Sequence, residues 1–300
     1  MNKNKNHTII LLLLLVLPVL AGCRKSNDGE RINILIISGK NNHEWQKTTP
    51  LLVKIHKDAG LFNVNVSDKP DTLTYNSLRK YNVLVSNWNS WPDNNFRMSP
   101  EWENDLLKYV RNGGGLVFFH AGASSFYGWN EYHQMGIGRW GINTSHGEQT
   151  TGKVYGFDQD HPITKGFKDF LITDEIWEKT DIYPGISALA SVTATDNKDG
   201  HQINEPAVFV NQTGKGRSFY TILGHDERAL LNSGLKTLLL RAAQWCAGRM
   251  VTIPPPVEFT GKDKQAGNIF TWEETDTSVA LRNHEDIIWK FNYINRFGKP

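Results

Sequence analysis

The sequence predicts an α/β fold whose core is a doubly wound parallel sheet with helices on both faces. Four apolar, strand-like segments, at residues 31–38, 62–66, 81–86 and 116–119, alternate with helix-like segments at short spacing. This alternation is typical of parallel sheets, because parallel neighbours need a crossover connection that is usually a helix. The chain has 300 residues and is 39% hydrophobic, which suffices for one large core and a smaller appendage.

Apolar residues at helical spacing indicate the helices between these strands. In the first helix, Thr49 can serve as the N-terminal cap with Pro50 at the first position, and Gly60 ends the helix. Ser99 and Pro100 begin another helix in the same manner. The loops that follow the strands therefore open at one edge of the predicted sheet.

The central strand lies within residues 111–126, RNGGGLVFFHAGASSF. The three glycines end the preceding helix, since glycine takes a left-handed backbone without a steric cost. The apolar run at residues 116–119 suits a strand covered on both faces. Small residues after His120 allow a sharp turn. We therefore expect His120 at the carboxyl end of the strand, where ligands bind in open α/β sheets.

The second half of the chain predicts a functional loop, further strands and a closing helix. Residues 127–152 are rich in Gly, Trp and His and show little periodicity, which favours a functional loop. Strand-like runs follow at residues 153–157, 186–195, 206–211 and 217–223, and the last two form a hairpin around QTGKG. Residues 233–247 form the closing helix, in which Cys246 is expected to pack rather than react.

The two ends of the chain set the predicted domain boundaries. A basic start, a short apolar segment and LAGC at residues 20–23 predict a lipoprotein signal peptide over residues 1–22 and a lipidated Cys23. An ordinary signal peptide with an incidental cysteine is the alternative. A tether over 23–30 leads to the α/β domain over 31–249, a Pro-rich linker over 250–258 and a tail over 259–300, interpreted as a truncated β domain. The expected location is the bacterial cell envelope, facing the periplasm or the cell surface.

Histidines in four predicted loops suggest a site at the carboxyl edge of the sheet. They are His43, His120, His161 and His225, and acidic residues stand next to three of them. Histidine and carboxylate together suit general acid–base catalysis. We therefore predict His43, His120, His225 and Asp226 as the catalytic residues. The alternative for any single histidine is a structural hydrogen bond.

Other kinds of site receive less support from the sequence. No metal is predicted, because no HExxH or HxH spacing is present, but zinc at His43, His120 and His225 is the alternative. Ser124 and Ser125 follow the central strand too late for a nucleophile elbow. No GxGxxG follows the first strand, so no nicotinamide cofactor is expected. A net charge of +2 gives no reason to expect a nucleic-acid partner.

Polar and aromatic residues near the strand ends are candidates for substrate binding. Asp174 and Glu175 precede Trp177, an arrangement that fits contacts with sugar hydroxyls beside an aromatic platform, or else an ordinary polar loop. The predicted substrate-binding residues are Glu44, Trp45, Asn87, Trp88, His146, His161, Asp174 and Glu175.

Five motifs in order resemble the ThuA-like (trehalose-utilisation) family across residues 32–248. They are SGKNNHEW, GGGLVFFHAG, HPITKG, DEIW and GKGRSFYTILGHD. The resemblance implies a class I glutamine amidotransferase-like fold, which is flavodoxin-like, and a role in carbohydrate use. The amidotransferase cysteine is missing, and His120 stands at that turn. The C-terminal tail resembles the opening of a β-rich domain that occurs beside sugar-catabolism proteins.

These observations predict a lipid-anchored protein of carbohydrate catabolism. We expect an enzyme, a hydrolase or lyase, that acts on glycosides or oxidised (3-keto) sugars by His/Asp/Glu acid–base chemistry. A non-catalytic carbohydrate-binding module is the alternative. The expected partners are a small carbohydrate ligand and, through the lipid anchor, the membrane. The sequence does not indicate an oligomeric state.

Overall fold

A nine-stranded sheet forms the centre of the protein in the computed structural model, which describes residues 30–260, 270–275, 278–283 and 286–292. The predicted signal peptide and Cys23 lie outside the described residues. The strands, in chain order, are β1 Ile32–Ile37, β2 Phe62–Ser67, β3 Val83–Ser86, β4 Gly115–Phe119, β5 Gly138–Arg139, β6 Ser145–His146, β7 Thr150–Tyr155, β8 Phe170–Asp174, β9 Trp177–Glu178, β10 Asp181–Ile182, β11 Ala188–Thr195, β12 Gln202–Thr213, β13 Gly216–Thr221, β14 Phe270–Thr275, β15 Ser278–Asn283 and β16 Asp286–Asn292.

The predicted α/β, flavodoxin-like fold is confirmed in the first half of this sheet. The strand order is β2-β1-β3-β4-β13-β12-β11-β7-β8, and the five strands from β2 to β13 are parallel. Strands β1, β3 and β4 are neighbours, so their carboxyl ends meet at one edge. The loops that leave these strands therefore lie side by side.

The second half of the sheet is antiparallel; the predicted hairpin of β12 and β13 is confirmed, but the sequence did not predict the antiparallel pairing of the other strands. Strands β12, β11, β7 and β8 pair antiparallel, and no helical crossover joins them; only β11 and β12 are linked by a short hairpin connection. The turn between β12 and β13 contains Gly214 at φ +61°. We predicted that this strand begins at Pro206, but β12 begins four residues earlier, at Gln202. Pro206 pairs with Ser191 beside a register shift, where its missing N–H is tolerated.

Helices cover the sheet in two packed groups. They are α1 Trp45–Asp58, α2 Tyr75–Leu78, α3 Pro100–Arg111, α4 Asn130–Gly136, α5 Glu227–Leu231, α6 Ser233–Cys246 and α7 Val257–Thr260. Helix α1 contacts α5 and α6, whereas α2 contacts α3, as expected for helices on two faces of a sheet. None of the helices in the described part of the chain has the length and apolar character needed to cross a membrane.

The start of α1 differs from the prediction. The helix begins at Trp45, and Pro50 lies inside it. Thr49 does not cap the helix, because its hydroxyl bonds to Ser38 and accepts a hydrogen bond from the Asn87 amide. The predicted cap at Ser99 is confirmed, since its side chain accepts the Trp102 N–H.

Two further features lie away from the edge where the strands end. Cys246 is buried, and its thiol donates to the Leu116 carbonyl near the start of β4, so it packs as predicted. Burial raises the pKa of that thiol. In the predicted tail, β14, β15 and β16 form a three-stranded antiparallel sheet.

His56, on the inner face of α1, should make stability fall in acid. It is fully buried, and burial lowers its pKa to about 4 even though its Nδ1 bonds to the Leu52 carbonyl. The unfolded chain takes up a proton near pH 6.5, whereas the folded chain does not. The stabilisation is therefore complete above pH 6.5 and is lost as the pH falls towards 4. Because one pKa unit equals about 1.4 kcal/mol, the loss should be on the order of 3 kcal/mol.

The measurement is urea unfolding of the wild-type chain and of His56→Leu at several pH values from 7 to 4. The variant should show a smaller decline, because leucine has no proton to gain. Other histidines with lowered pKa remain in both proteins, so the comparison isolates His56. Equal declines in the two proteins would contradict this account.

Candidate active site

Loops from four strands bring titratable side chains together at the carboxyl edge of the sheet. His43 lies in the loop after β1, His120 directly after β4 and His225 after β13. Glu175 follows β8, at the far end of the antiparallel half. The site therefore lies across the sheet edge and is closed by the antiparallel strands.

The turn after β4 holds His120 in an unusual backbone conformation. His120 has φ +46°, which places its buried ring at the start of a short 3-10 helix. A Cβ added at Gly122 would lie 2.4 Å from the Ser86 carbonyl oxygen, so only glycine allows this turn to approach β3. The predicted need for small residues after His120 is thus explained by close backbone contact.

The three imidazoles of His43, His120 and His225 face one another. The ring centroids of His43 lie 4.8 Å from those of both His120 and His225, and the latter two are 5.1 Å apart. The ring planes meet at 78–89°, so each ring points an edge at the others. His225 Nδ1 is 3.3 Å from His120 Nε2.

Glu175 joins the three imidazoles through its carboxylate. Its Oε1 is 3.4 Å from His120 Nε2, and its Oε2 is 3.5 Å from His225 Nδ1 and 3.3 Å from His146 Nδ1. Trp177 donates its indole N–H to Oε1 at 3.1 Å. This carboxylate is therefore the charged centre of the group.

A second layer of polar groups holds these side chains in place. His43 Nδ1 bonds to Asn41 Oδ1 at 3.1 Å, and His120 Nδ1 bonds to the Ile222 carbonyl at 2.9 Å. The fully buried Asp174 accepts the backbone N–H groups of Gly224, His225 and Glu175. Asp174 therefore fixes two of the loops that carry the site.

Burial and mutual interaction shift the pKa values within the site. Burial, followed by the charges of His120 and His225, lowers the pKa of His43 to about 3. Burial alone would raise the pKa of Glu175, but its hydrogen bonds to His120 and His225 hold that pKa well below its usual range. Burial lowers the pKa of His225, but the hydrogen bond and charge of Glu175 outweigh burial and raise it overall. Burial raises the pKa of Asp174 against the His120 charge and the backbone N–H groups.

A cavity of about 230 Å³ opens onto this group. Aromatic rings form much of its wall: the Trp91 and Trp140 centroids are 6.3 Å apart, and those of Trp140 and Trp177 are 5.1 Å apart. The lining residues are Asn42, His43, Trp91, Ala121, Ser124, Trp140, His146, Glu175, Trp177 and His225. Charged, hydrogen-bonding and aromatic groups therefore meet in one small cavity.

The structure brings together five of the residues that the sequence singled out. His43, His120, His146, Glu175 and His225 lie at the cavity or directly behind it, and Asp174 supports them. Their catalytic or binding roles stay predictions.

Other predicted residues lie elsewhere. Asp226, predicted as catalytic, caps α5 by accepting the Ala229 N–H, and it also accepts the Gln149 amide. His161 packs on Trp245, 5.0 Å between centroids. Four of the predicted substrate-binding residues do not line the cavity either. Glu44 is exposed and pairs with Lys47, and Trp45 follows it at the start of α1. The Asn87 amide donates to Thr48 and Thr49, and Trp88 stacks on Phe126 in the core.

Sequence reasoning missed parts of the wall and the second layer. Trp91 and Trp140 were not predicted, although Trp140 lies in the loop rich in Gly, Trp and His that we interpreted as functional. Asn41 was also missed, although it stands two residues before His43, where an Asx turn can form. Trp177 was noted only as an aromatic beside the two carboxylates.

Two groups of side chains in the described residues have metal-ligand character. The first is His43, His120, Glu175 and His225, whose ligand atoms all lie within 4.8 Å of one another. The second is Asp196, Asp199 and His201, in which His201 already bonds to Asp199 at 2.6 Å and to Glu178 at 2.9 Å.

Comparison with known proteins identifies the family. The model for ThuA, described as trehalose utilisation, matches residues 33–246, well over half of the chain. The chain belongs to the ThuA family. The resemblance found in the sequence motifs is thereby confirmed. No protein with a curated description gives a significant match.

Solved structures agree with this ThuA assignment. A ThuA-like protein from Parabacteroides merdae is 28% identical, with a TM-score of 0.65, over 77% of this chain and 95% of that one. A ThuA-like protein from Bacteroides uniformis is 19% identical, with a TM-score of 0.56, over 75% of this chain and 95% of that one. The second likeness supports the fold alone. The ThuA match spans β1 to α6 and so contains all five cavity residues that the sequence predicted.

Proposed function

We propose that this ThuA protein is an enzyme, a hydrolase or lyase, that acts on a small carbohydrate by acid–base chemistry. The observation that carries the proposal is the meeting of three histidines and Glu175 at one wall of a tryptophan-lined cavity. Glycosides and oxidised (3-keto) sugars are the substrate classes proposed. The family's description as trehalose utilisation supports carbohydrate as the ligand.

The site offers both a proton acceptor and proton donors. The pKa of Glu175 is held low by His120 and His225, so its carboxylate stays ionised; because a low pKa makes a weak base, it can accept a proton only when a substrate displaces those hydrogen bonds. His146 and His225 both lie within 3.5 Å of that carboxylate and line the cavity, so either can donate. Environments that push the pKa values of neighbouring groups apart are typical of acid–base sites.

The shape and lining of the cavity suit a sugar ring. A volume of about 230 Å³ is below the roughly 300–1,000 Å³ of pockets for drug-sized ligands, so it fits a small molecule. Trp91, Trp140 and Trp177 present ring faces and edges that can pack on the apolar C–H face of a sugar. Asn42 and the titratable groups can bond to its hydroxyls.

A non-catalytic carbohydrate-binding module remains the second candidate, because the tryptophan wall alone would bind a sugar. A test begins with a screen of the purified protein against disaccharides, trehalose included, and their 3-keto forms, for binding and for turnover. Turnover supports the enzyme. Binding without turnover favours the module, and neither result on any sugar would refute the carbohydrate proposal.

Trp91→Ala should weaken binding of the best ligand at least about fivefold, because truncating an aromatic anchor typically costs more than about 1 kcal/mol. Trp45→Ala is the matched control, since Trp45 lies near His43 in sequence but does not line the cavity. Calorimetric titration gives both affinities. Equal weakening by the two substitutions would show that the wall around Trp91 is not the sugar site.

We also propose, from the sequence alone, that Cys23 carries the lipid anchor and that the protein acts in the cell envelope. This agrees with a substrate class available outside the cytoplasm. Membrane fractionation of Cys23→Ser is the measurement that decides it.

A further inference from the structure

We propose that His43, His120, His225 and Glu175 bind one divalent transition-metal ion, for which Zn²⁺ is the reference. This inference goes beyond the carbohydrate proposal and does not depend on it. While an ion is bound, Glu175 and His225 would act as ligands, so their roles as proton acceptor and donor belong to the ion-free chain. The sequence favoured no metal because it lacks a local ligand motif. The ligands instead come from four loops that only the folded sheet brings together.

The spacing of the ligand atoms matches a tetrahedral ion. With metal–ligand bonds of about 2.0–2.1 Å, the ligand atoms of a tetrahedral site lie about 3.4 Å from one another. His120 Nε2 lies 3.3 Å from His225 Nδ1 and 3.4 Å from Glu175 Oε1. The other carboxylate oxygen, Glu175 Oε2, lies 3.5 Å from His225 Nδ1, so the carboxylate must rotate before a single oxygen meets both histidines. The ligand atom of His43 lies within 4.8 Å of the others, so it must move up to about 1.4 Å closer to reach the tetrahedral spacing.

The separations of the three imidazole rings also fit a single tetrahedral ion. Three imidazoles on one tetrahedral ion have centroids about 5 Å apart, because each centroid lies roughly 3 Å from the metal. The observed separations are 4.8, 4.8 and 5.1 Å. The rings are nearly perpendicular to one another, so they converge by their edges, where the nitrogens are, and do not stack.

Hydrogen bonds on the outer side of two rings leave the inner nitrogens free to bind. The Ile222 carbonyl can only accept, so His120 Nδ1 carries the proton and Nε2 keeps its lone pair. Asn41 Oδ1 also accepts from the Asn89 amide and the His43 backbone N–H, which identifies it as an oxygen acceptor for His43 Nδ1. His43 Nε2 is therefore bare as well. Metal-binding histidines are oriented in this way.

In the other cluster of the described residues, Asp196, Asp199 and His201, the imidazole has no nitrogen free to bind a metal. Both ring nitrogens of His201 bond to carboxylates, Asp199 and Glu178, which raises the pKa of His201 to about 9. A protonated imidazole has no lone pair for a metal. This contrast makes His201 the natural control.

The ligand set also indicates the class of ion. Imidazole and carboxylate without thiolate suit zinc and the other divalent ions of the first transition row. In an ion-free protein, a proton on His225 Nδ1 can occupy the space between His120 and Glu175. Four protein ligands would fill the coordination sphere of a tetrahedral ion, so the ion would tie the four loops together, and it would polarise a substrate oxygen or activate water only if one ligand gave up its place.

The test is metal binding by the full chain after treatment with a chelator. Calorimetric titration with Zn²⁺ and elemental analysis should give one tightly bound ion per chain. Co²⁺ should give the intense visible absorption of a tetrahedral site. His43→Ala should weaken binding at least 100-fold, since loss of even an outer partner costs about 10–100-fold. His201→Ala should bind as the wild type does.

The outcomes separate this proposal from the carbohydrate proposal. A chain that binds no stoichiometric ion would overturn the metal site and leave sugar turnover to be judged on its own. Binding lost in His201→Ala but kept in His43→Ala would place the ion at the other cluster and also overturn it. Circular dichroism confirms that each variant is folded. If His43→Ala is unfolded, His225→Ala provides the same comparison.

Discussion

Replacing Asp174 with asparagine should lower the free energy of unfolding by roughly 3 kcal/mol. The Asp174 carboxylate is fully buried and accepts the backbone N–H groups of Gly224, His225 and Glu175 at 2.7, 3.0 and 2.9 Å. Asparagine can keep the oxygen that accepts the Glu175 and His225 N–H groups, but it turns an NH₂ group towards the Gly224 N–H, which loses its acceptor. A buried donor without a partner costs about 1–3 kcal/mol, and bonds to a charged acceptor lie at the upper end.

Urea unfolding measures this loss, and Asp169→Asn is its matched control. Asp169 is half exposed and reaches Lys153 only at 3.6 Å, so its substitution should change stability by less than about 0.5 kcal/mol. The same Asp174 bonds hold the loops of His225 and Glu175. A folded Asp174→Asn chain should therefore also lose function at temperatures far below its melting point. A loss as small as that of the control would show that Asp174 is not a structural anchor.

The histidines of the site could be predicted because their positions follow from the sheet. His43, His120 and His225 each come just after an apolar run, and parallel strands end at the same edge. Once β1, β4 and β13 are recognised as parallel, three side chains must be near one another. No distance or ring orientation follows from that reasoning, since both depend on the hydrogen bonds to Asn41 and the Ile222 carbonyl.

Two of the predicted site residues do not line the cavity, and their surroundings explain why. Asp226 stands beside His225, but it begins a helix, and a carboxylate there usually caps N–H groups. His161 packs on Trp245, the neighbour of Cys246, whose thiol reaches Leu116 near the start of β4. It therefore lies at the opposite edge of the sheet from the site. The position of His161 depends on the antiparallel pairing of β7 and β8, whereas the cap at Asp226 is local to the chain.

Parts of the site that depend on long-range pairing could not be predicted. Glu175 reaches the histidines because β8 pairs with β7 at the end of the antiparallel half. Trp91 and Trp140 come from loops whose path no periodicity describes. The sequence thus indicates the edge of the sheet at which the candidate site lies, and tertiary pairing determines the wall of its cavity.

Glu175→Gln should lower turnover of the identified sugar by about 10²–10⁴-fold, the usual contribution of a general acid or base. Glutamine has nearly the same shape, so it should keep the cavity and the tryptophan wall intact. It removes the negative charge to which His120, His146 and His225 all lie within 3.5 Å. Binding of the sugar should therefore change less than tenfold while kcat falls.

Glu178→Gln is the matched control for this substitution. Glu178 lies three residues further along the chain, bonds to His201 at 2.9 Å and does not line the cavity. Its variant should retain kcat within about twofold. If Glu175→Gln kept more than a tenth of the wild-type kcat, the carboxylate would not carry the chemistry.

If no sugar is turned over by the wild type but binding falls with Trp91→Ala and not with Glu175→Gln, the cavity is a binding module. The kcat and affinity of these three variants together decide whether the titratable group or the aromatic wall is the functional part of the site.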